Sequence, residues 1–356
     1  MIGRQQTLEV EKTMRKTDAS LLCRRDFFLS ATALVFSHVG QSAPGSKALR
    51  GIFPIAQTPF TPSNRLDFES LAAEVRFIDR GGVHGFVWPQ LASEWEWLSE
   101  AERLEGAEVI ASTGKKLRPA IVIGVQAADA VTAIRYAKHA ERMGADAIIS
   151  LPPASQSDPA TVLEYYRQIG SATGLPLFVQ AVGKLSVDSI VAMYKAIPTL
   201  RYVKDEAGQP LMRFAGLQSA TNGELKVFSG GGGRTLIDEM IRGFSGSMPH
   251  AAFADVYASA WDLWQSGKQR EAIQQFGIAA VLLGELATYP QAVKYILHAR
   301  GVFKTYGSRR PHGSNNAAVD PEALASGTGQ LTAALDDTSQ RVLRQMLDLM
   351  KPFLKA

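Results

Sequence analysis

Leu200-Arg201-Tyr202-Val203-Lys204-Asp205-Glu206-Ala207-Gly208 is the stretch on which the reading turns. It predicts a short buried strand that ends in a lysine, two carboxylates and a glycine. Side chains alternate along a strand, so Tyr202, Lys204 and Glu206 share one face while Val203 and Asp205 take the other. An ammonium closing an apolar strand is costly unless it is paired or gives up its proton. The neutral amine in such a place is the nucleophile that condenses with a ketone or aldehyde to a Schiff base. The stretch alone leaves two readings open: that nucleophile, or a lysine paired with Asp205 or Glu206.

Working outward, strand patterns recur at 51–56, 84–88, 120–123, 146–150, 176–180, 225–229 and 245–248, with the Lys204 strand sixth among eight. Helix starts separate them. Asp67, Asp129 and Ser186 precede helical periodicities, Ser99 with Glu102 forms a capping box, and Asp158-Pro159 is a cap followed by a first-turn proline. An open doubly wound sheet shows similar alternation, but a count of eight favours an α/β (β/α)8 TIM barrel. Beyond it the pattern is helical only, over 252–265, 269–286, 291–299 and 336–349, with a polar Gly/Ser/Asn-rich stretch at 308–330. The predicted organisation is a leading segment at 1–45, a barrel core at 46–250, and the last barrel helix with a helical C-terminal extension at 251–356.

The 356 residues are 46% hydrophobic and 20% charged with a net charge of +4, which suits a soluble globular protein. No long run of like charge argues for nucleic acid or an anionic membrane surface. The single cysteine, Cys23, excludes an intramolecular disulfide. Arg24-Arg25-Asp26-Phe27-Phe28-Leu29-Ser30, followed by a short apolar run of small residues, reads as a twin-arginine export signal. That run is too short for a permanent membrane helix. The reading predicts a periplasmic protein; if the signal is not functional, the location is cytoplasmic.

In (β/α)8 barrels the chemistry sits at the C-terminal strand ends. Lys204 is the one lysine near the end of an otherwise apolar strand, since Lys184 falls in a loop. The chain resembles the dihydrodipicolinate synthase and N-acetylneuraminate lyase family of class I aldolases and dehydratases over residues 49–306. The resemblance is carried by Gly51-Ile52-Phe53-Pro54, Thr58-Pro59-Phe60, Gly85-Phe86-Val87, Ser93-Glu94, Leu151-Pro152-Pro153, Gly174-Leu175-Pro176, Val203-Lys204-Asp205, Ser229-Gly230, Pro290 and Val293-Lys294. It implies that Lys204 is the Schiff-base lysine attacking the keto group of a 2-oxo acid such as pyruvate or a deoxy sugar acid. It also implies a homo-oligomer, a tetramer built as a dimer of dimers.

The departures from that family are as informative. Its Gly-Thr-Thr-Gly-Glu run, which holds the substrate carboxylate, becomes Gln90-Leu91-Ala92-Ser93-Glu94, without either threonine hydroxyl. Its proton-shuttling tyrosine aligns with Ala154. Its Tyr-Asn-Val-Pro becomes Gln180-Ala181-Val182-Gly183, and the arginine that follows in synthases is missing. Loss of such a general acid/base removes a factor of about 100 to 10,000 in rate. Glu206, Glu94 and His250 are the candidate substitutes, although Glu94 also reads as a loop-holding carboxylate and His250 as a capping or packing residue. Ala92, Ser93, Gln180, Gly230 and Met248 are the expected substrate-binding positions. The run Gly230 to Gly233 reads either as an anion-binding turn, backed by Arg234, or as a turn kept small for close packing. Trp88, Trp95 and Trp97 read as a wall over the site or as a subunit contact. No metal and no cofactor are expected, because the six histidines lack ligand spacing and the imine itself supplies the electrophile. The competing class is a non-catalytic barrel that captures a keto acid or sugar acid, and a third is a phosphate-binding barrel enzyme.

Overall fold

The computed structural model describes residues 47–153, 158–286, 291–310, 331 and 335–355. The leading segment with Arg24-Arg25, Ala154, Pro290 and most of the polar stretch at 308–330 lie outside the described residues. Eight parallel strands form one sheet among the described residues: β1 (Gly51–Ile52), β2 (Gly85–Trp88), β3 (Ala120–Gly124), β4 (Ala147–Ser150), β5 (Leu177–Ala181), β6 (Leu200–Asp205), β7 (Lys226–Ser229) and β8 (Gly246–Ser247). Neighbours follow chain order around the ring, and β1 pairs with β8. Closure between β1 and β2 is made by Ile55, which bridges both Val87 and His250. The first strand is therefore shorter than its apolar run suggests, because Pro54 brings no amide to the ladder. The result is a (β/α)8 barrel.

The first five crossover helices begin where their caps predict. Asp67 accepts from the Ser70 amide at the head of α1 (Phe68–Arg80), Ser99 and Glu102 close the capping box of α2 (Glu100–Gly114), and Asp129 caps α3 (Ala130–Met143). Asp158 and Ser186 cap α4 (Pro159–Ala172) and α5 (Val187–Ala196). Then come α6 (Pro210–Ala220), α7 (Leu236–Arg242) and α8 (Ala254–Gln265), the last entered through a 3-10 turn at Ala251–Phe253. The extension adds α9 (Gln269–Glu285), α10 (Ala292–Ala299) and α11 (Asp337–Met350).

The barrel interior is filled by inward residues of alternating positions, with Phe53, Val87, Val122, Ile149, Phe178, Phe228 and Met248 in one cluster. Tyr202 stacks on Phe178 with ring centroids 4.4 Å apart, and Phe228 meets Phe178 edge-on at 5.3 Å. Gly85 and Gly246 make room for these rings: a Cβ on either would lie 2.3 Å from Phe53 or Phe228. The register carries the next inward positions above this aromatic floor, pairing Gln180 with Lys204. Residues one step off the inward phase face the helices, where Asp205 binds Arg213 on α6 at 2.9 Å.

After α10 the chain returns across the barrel mouth and is locked there by Arg309, whose side chain is fully buried. Its guanidinium donates to Glu102 at 2.7 and 2.8 Å, to the Asn64 side chain at 2.9 Å and to the Trp97 carbonyl at 2.9 Å. Its backbone amide donates to Glu94 at 2.8 Å. Replacing Arg309 with Ala strands several buried oxygens at once, and breaking a buried ion pair of this kind costs about 3–5 kcal/mol. Urea unfolding of Arg309→Ala is expected to show a loss of that size, and Arg309→Lys most of it, since one ammonium cannot reproduce the fork. A loss below about 1 kcal/mol, the scale of exposed pairs, contradicts the locking role.

Candidate active site

Lys204 stands at the C-terminal end of β6, directly above the aromatic floor, and only 4% of its surface is exposed. Its Nζ lies 2.5 Å from Oε1 of Glu206. The same Oε1 accepts from the Gln180 side-chain amide at 2.8 Å. Three positions spread across two neighbouring strand ends thus meet on one carboxylate oxygen. Glu206 keeps 24% of its side chain exposed, so solvent reaches the pair on the carboxylate side. The alternation read from the sequence puts Tyr202 and Lys204 inward and Asp205 outward, as observed.

Glu206 can occupy this position because Gly230, opposite it at the end of β7, has no side chain. A Cβ there would fall 2.0 Å from Cγ of Glu206. Gly233 gives way in the same manner to the ring of Tyr257, 2.4 Å from its would-be Cβ, and has φ +78. The geometry of these two glycines is that of the turn kept small for close packing. Tyr257 lies 3.3 Å through its hydroxyl from both the Gly232 carbonyl and Nε2 of His250. His250 packs edge-on against Phe253 and Tyr257, and burial pushes its imidazole down to about 4, so it is neutral at physiological pH. Its Nδ1 has no protein partner among the described residues.

The turn after β2 is held from every side. Ser93 donates its hydroxyl to the Ala56 carbonyl at 2.6 Å and accepts from the Gln90 amide at 3.0 Å. Thr58 donates to the Ser93 carbonyl at 2.5 Å and accepts from the Trp88 indole at 3.0 Å. The Ser93 side chain is therefore occupied within the protein. Glu94 takes a left-handed backbone, φ 58, and its carboxylate binds Lys294 and the amides of Arg309 and Arg310. That is the loop-holding use of Glu94. Lys294 is itself buried, and burial pushes its ammonium downward while Glu94 opposes the shift. Ala92 remains exposed on the turn, and the Leu91 and Ala92 amides carry no hydrogen bond among the described residues. Met248, buried among the interior side chains, belongs to the floor of the barrel.

One sequence expectation moves, and one buried arginine goes unremarked in the sequence. Trp88 does not wall the site: it faces outward, fully buried, and its ring fills the space beside Gly106 of α2. Alternation puts Val87 inward and Trp88 outward. Arg103, which the helix pattern hides among surface charges, is buried instead and donates to the carbonyls of Gly124 and Gln126 at 2.8 and 2.6 Å, fixing the end of β3. Its stacking on Tyr136, 4.0 Å from the ring centroid, has no local sequence signal. Among the described residues no group of three or more potential metal ligands is found, and no helix is long and apolar enough to cross a membrane.

Comparison with known proteins agrees with this architecture. A family model described as the dihydrodipicolinate synthetase family matches residues 48–325. The chain is 27% identical over 192 residues to a 4-hydroxy-tetrahydrodipicolinate synthase of Methanosarcina mazei, covering 52% of this chain and 65% of that protein. A synthase of the same name from Rhizobium meliloti is 29% identical over 166 residues, 45% of this chain and 56% of the relative. The match thus spans less than two thirds of either relative. An uncharacterised DapA-like lyase of Pyrococcus abyssi is 23% identical over 74% of this chain and 92% of its own length. Dihydrodipicolinate synthase of Rhodopseudomonas palustris shares the fold with a TM-score of 0.72 at 22% identity, covering 84% of this chain and 97% of that one. So does a prophage protein of the dihydrodipicolinic acid synthase family from E. coli K12, solved in complex with pyruvate, with a TM-score of 0.72 at 18% identity over 85% and 99% of the two chains. The protein belongs to the dihydrodipicolinate synthetase family.

Proposed function

We propose that the protein is a Schiff-base-forming lyase of 2-oxo acids in which Lys204 is the nucleophile and Glu206 carries the protons. The observation that supports this most is the 2.5 Å contact between Lys204 Nζ and Glu206 Oε1 at the end of an apolar strand. Glu206 takes a proton from the ammonium, and the freed amine adds to the keto carbon to give a carbinolamine. The same carboxyl returns its proton to the carbinolamine hydroxyl, which leaves as water, and a protonated imine remains. Electrons from a bond broken at the neighbouring carbon then flow into the imine and leave an enamine. In C–H cleavage the Glu206 carboxylate takes the proton, and in C–C cleavage it takes the hydroxyl proton of the departing fragment, which leaves as an aldehyde. Glu206 then returns the proton to the enamine carbon and restores the imine. Water reverses the sequence and releases the product.

Ala154, after β4 in the chain, aligns with the family's proton-shuttling tyrosine, and from the next strand the Gln180 amide holds the Glu206 oxygen at 2.8 Å. In this reading the pair Gln180–Glu206 replaces the missing phenol: one group orients, the other transfers. The Leu91 and Ala92 amides would hold the substrate carboxylate, the task the family gives to two threonines. His250, neutral and farther along the mouth, serves as a hydrogen-bonding group and not as a cation. Retro-aldol cleavage and dehydration of a deoxy sugar acid both use this machinery. The pyruvate bound to the E. coli relative supports a 2-oxo acid. Export and assembly into a homo-oligomer belong to the same proposal, the first resting on Arg24-Arg25 and the second on the family resemblance.

Incubation with pyruvate followed by borohydride is expected to add one reduced adduct, located on Lys204 by peptide mapping and absent in Lys204→Ala. An unmodified wild-type protein across a panel of keto acids would mark a binding protein. Glu206→Gln is expected to slow adduct formation by about 100-fold or more, the usual scale for a general acid/base, while circular dichroism stays unchanged. Adduct formation at the wild-type rate would remove Glu206 from the proposed role.

A further inference from the structure

β6 ends in Asp205, one step out of phase with Lys204, and its carboxylate is fully buried on the helix side of the strand. The two carboxylate oxygens have separate tasks. Oδ2 accepts from Nε of Arg213 on α6 at 2.9 Å, and Oδ1 accepts from the backbone amide of Ala207 at 3.2 Å. The second bond closes an Asx turn around Glu206, the residue between them. Other bonds hold the same turn. The Glu206 amide donates to the Ala181 carbonyl at 2.9 Å, and the Gly230 amide donates to the Asp205 carbonyl at 3.1 Å. Gly208 takes a left-handed backbone, φ 56, as the chain bends toward α6. Glu206 is thus pinned at its own amide and at the amide that follows, and from that backbone its carboxylate reaches Lys204. Burial raises the Asp205 carboxyl above its ordinary range, and Arg213 is the chief influence against the rise.

We propose that Asp205 and Arg213 are positioning residues for the proton transfer between Lys204 and Glu206. The inference rests on the proposed roles of those two groups and gives the new pair no contact with substrate. Asp205 faces the helices, on the side of β6 away from the barrel interior, so its contribution passes through the backbone. Arg213 fixes the carboxylate, and the carboxylate fixes the Ala207 amide. That amide belongs to the peptide leaving Glu206, and so it sets where the Glu206 side chain starts. A misplacement of about 1 Å in a reacting pair costs on the order of 100-fold in rate, so a small relaxation of this turn has a large kinetic reading. A pair that only anchored α6 to β6 would alter stability and leave the reaction untouched.

Timed borohydride trapping of the imine over a range of pyruvate concentrations tests it, with melting temperatures measured alongside. Asp205→Asn has one oxygen where the carboxylate has two, so it serves either Arg213 or Ala207. It is expected to lower the maximal rate of adduct formation by about 10- to 100-fold, while the pyruvate concentration for half-maximal rate stays within about threefold of wild type. Arg213→Ala is expected to behave alike, and Arg213→Lys to recover most of the loss, since a single N–H joins the pair. Wild-type maximal rates in Asp205→Asn and Arg213→Ala, even with lowered melting temperatures, overturn the positioning role. So does a loss confined to the half-maximal concentration, or one that Arg213→Lys fails to recover. Should Arg213→Ala not fold, Asp205→Asn and Arg213→Lys decide the matter. A wild type that traps keto acid, with Glu206→Gln slow and Asp205→Asn unimpaired, overturns this inference alone; a wild type that traps none overturns the reading of Lys204 and this inference with it.

Discussion

An ammonium placed on a floor of aromatic rings is the constraint around which this barrel is arranged. Tyr202, Phe178 and Phe228 deny Lys204 any hydration from below, and the price of desolvating a charge is several kcal/mol unless a partner is supplied. Glu206 supplies it, and the rest of the mouth is shaped so that Glu206 can. Gly230 has to be a glycine because the carboxylate stem lies where its Cβ would be. Gln180 has to donate, because the shared oxygen otherwise has freedom to turn toward solvent. Under the proposed function, a pairing that looks like mere charge compensation also sets a proton carrier against the nucleophile.

The second constraint is stiffness at the turn after β2. Four buried hydrogen bonds engage Ser93 and Thr58, and Glu94 is fixed through a left-handed backbone by Lys294 and by two amides of the returning chain. The helical extension contributes to the site through this contact and not through a group that faces substrate. Arg309 and Lys294 act on the turn from outside, as a brace. The Glu94 carboxylate belongs to the brace.

What could be read from the sequence, and what could not, divides along sequence distance. Strand count, helix starts and the inward phase of Lys204 follow from local periodicity and capping, and Asp67, Ser99, Asp129, Asp158 and Ser186 each stand at the N-cap they predict. Family resemblance implies the Schiff-base role proposed for Lys204, which alternation alone leaves open against a simple ion pair. The buried arginines were out of reach. Arg309 binds residues as far away as Asn64, and Arg103 reads as one more surface charge on a helix until β3 and Tyr136 are folded against it. The glycine run announced close packing or anion binding equally well, and only the positions of Glu206 and Tyr257 separate the two.

The account stands or falls on whether the Lys204–Glu206 pair meets the carbonyl of a keto acid. A crystal structure of the protein reduced with borohydride in the presence of pyruvate tests this most directly. The account predicts continuous density from Lys204 Nζ to the second carbon of the adduct, the Glu206 carboxylate within hydrogen-bonding distance of that nitrogen, and the adduct carboxylate on the Leu91 and Ala92 amides. Density that ends at an unmodified Lys204 still bound to Glu206, or an adduct on another lysine, contradicts it.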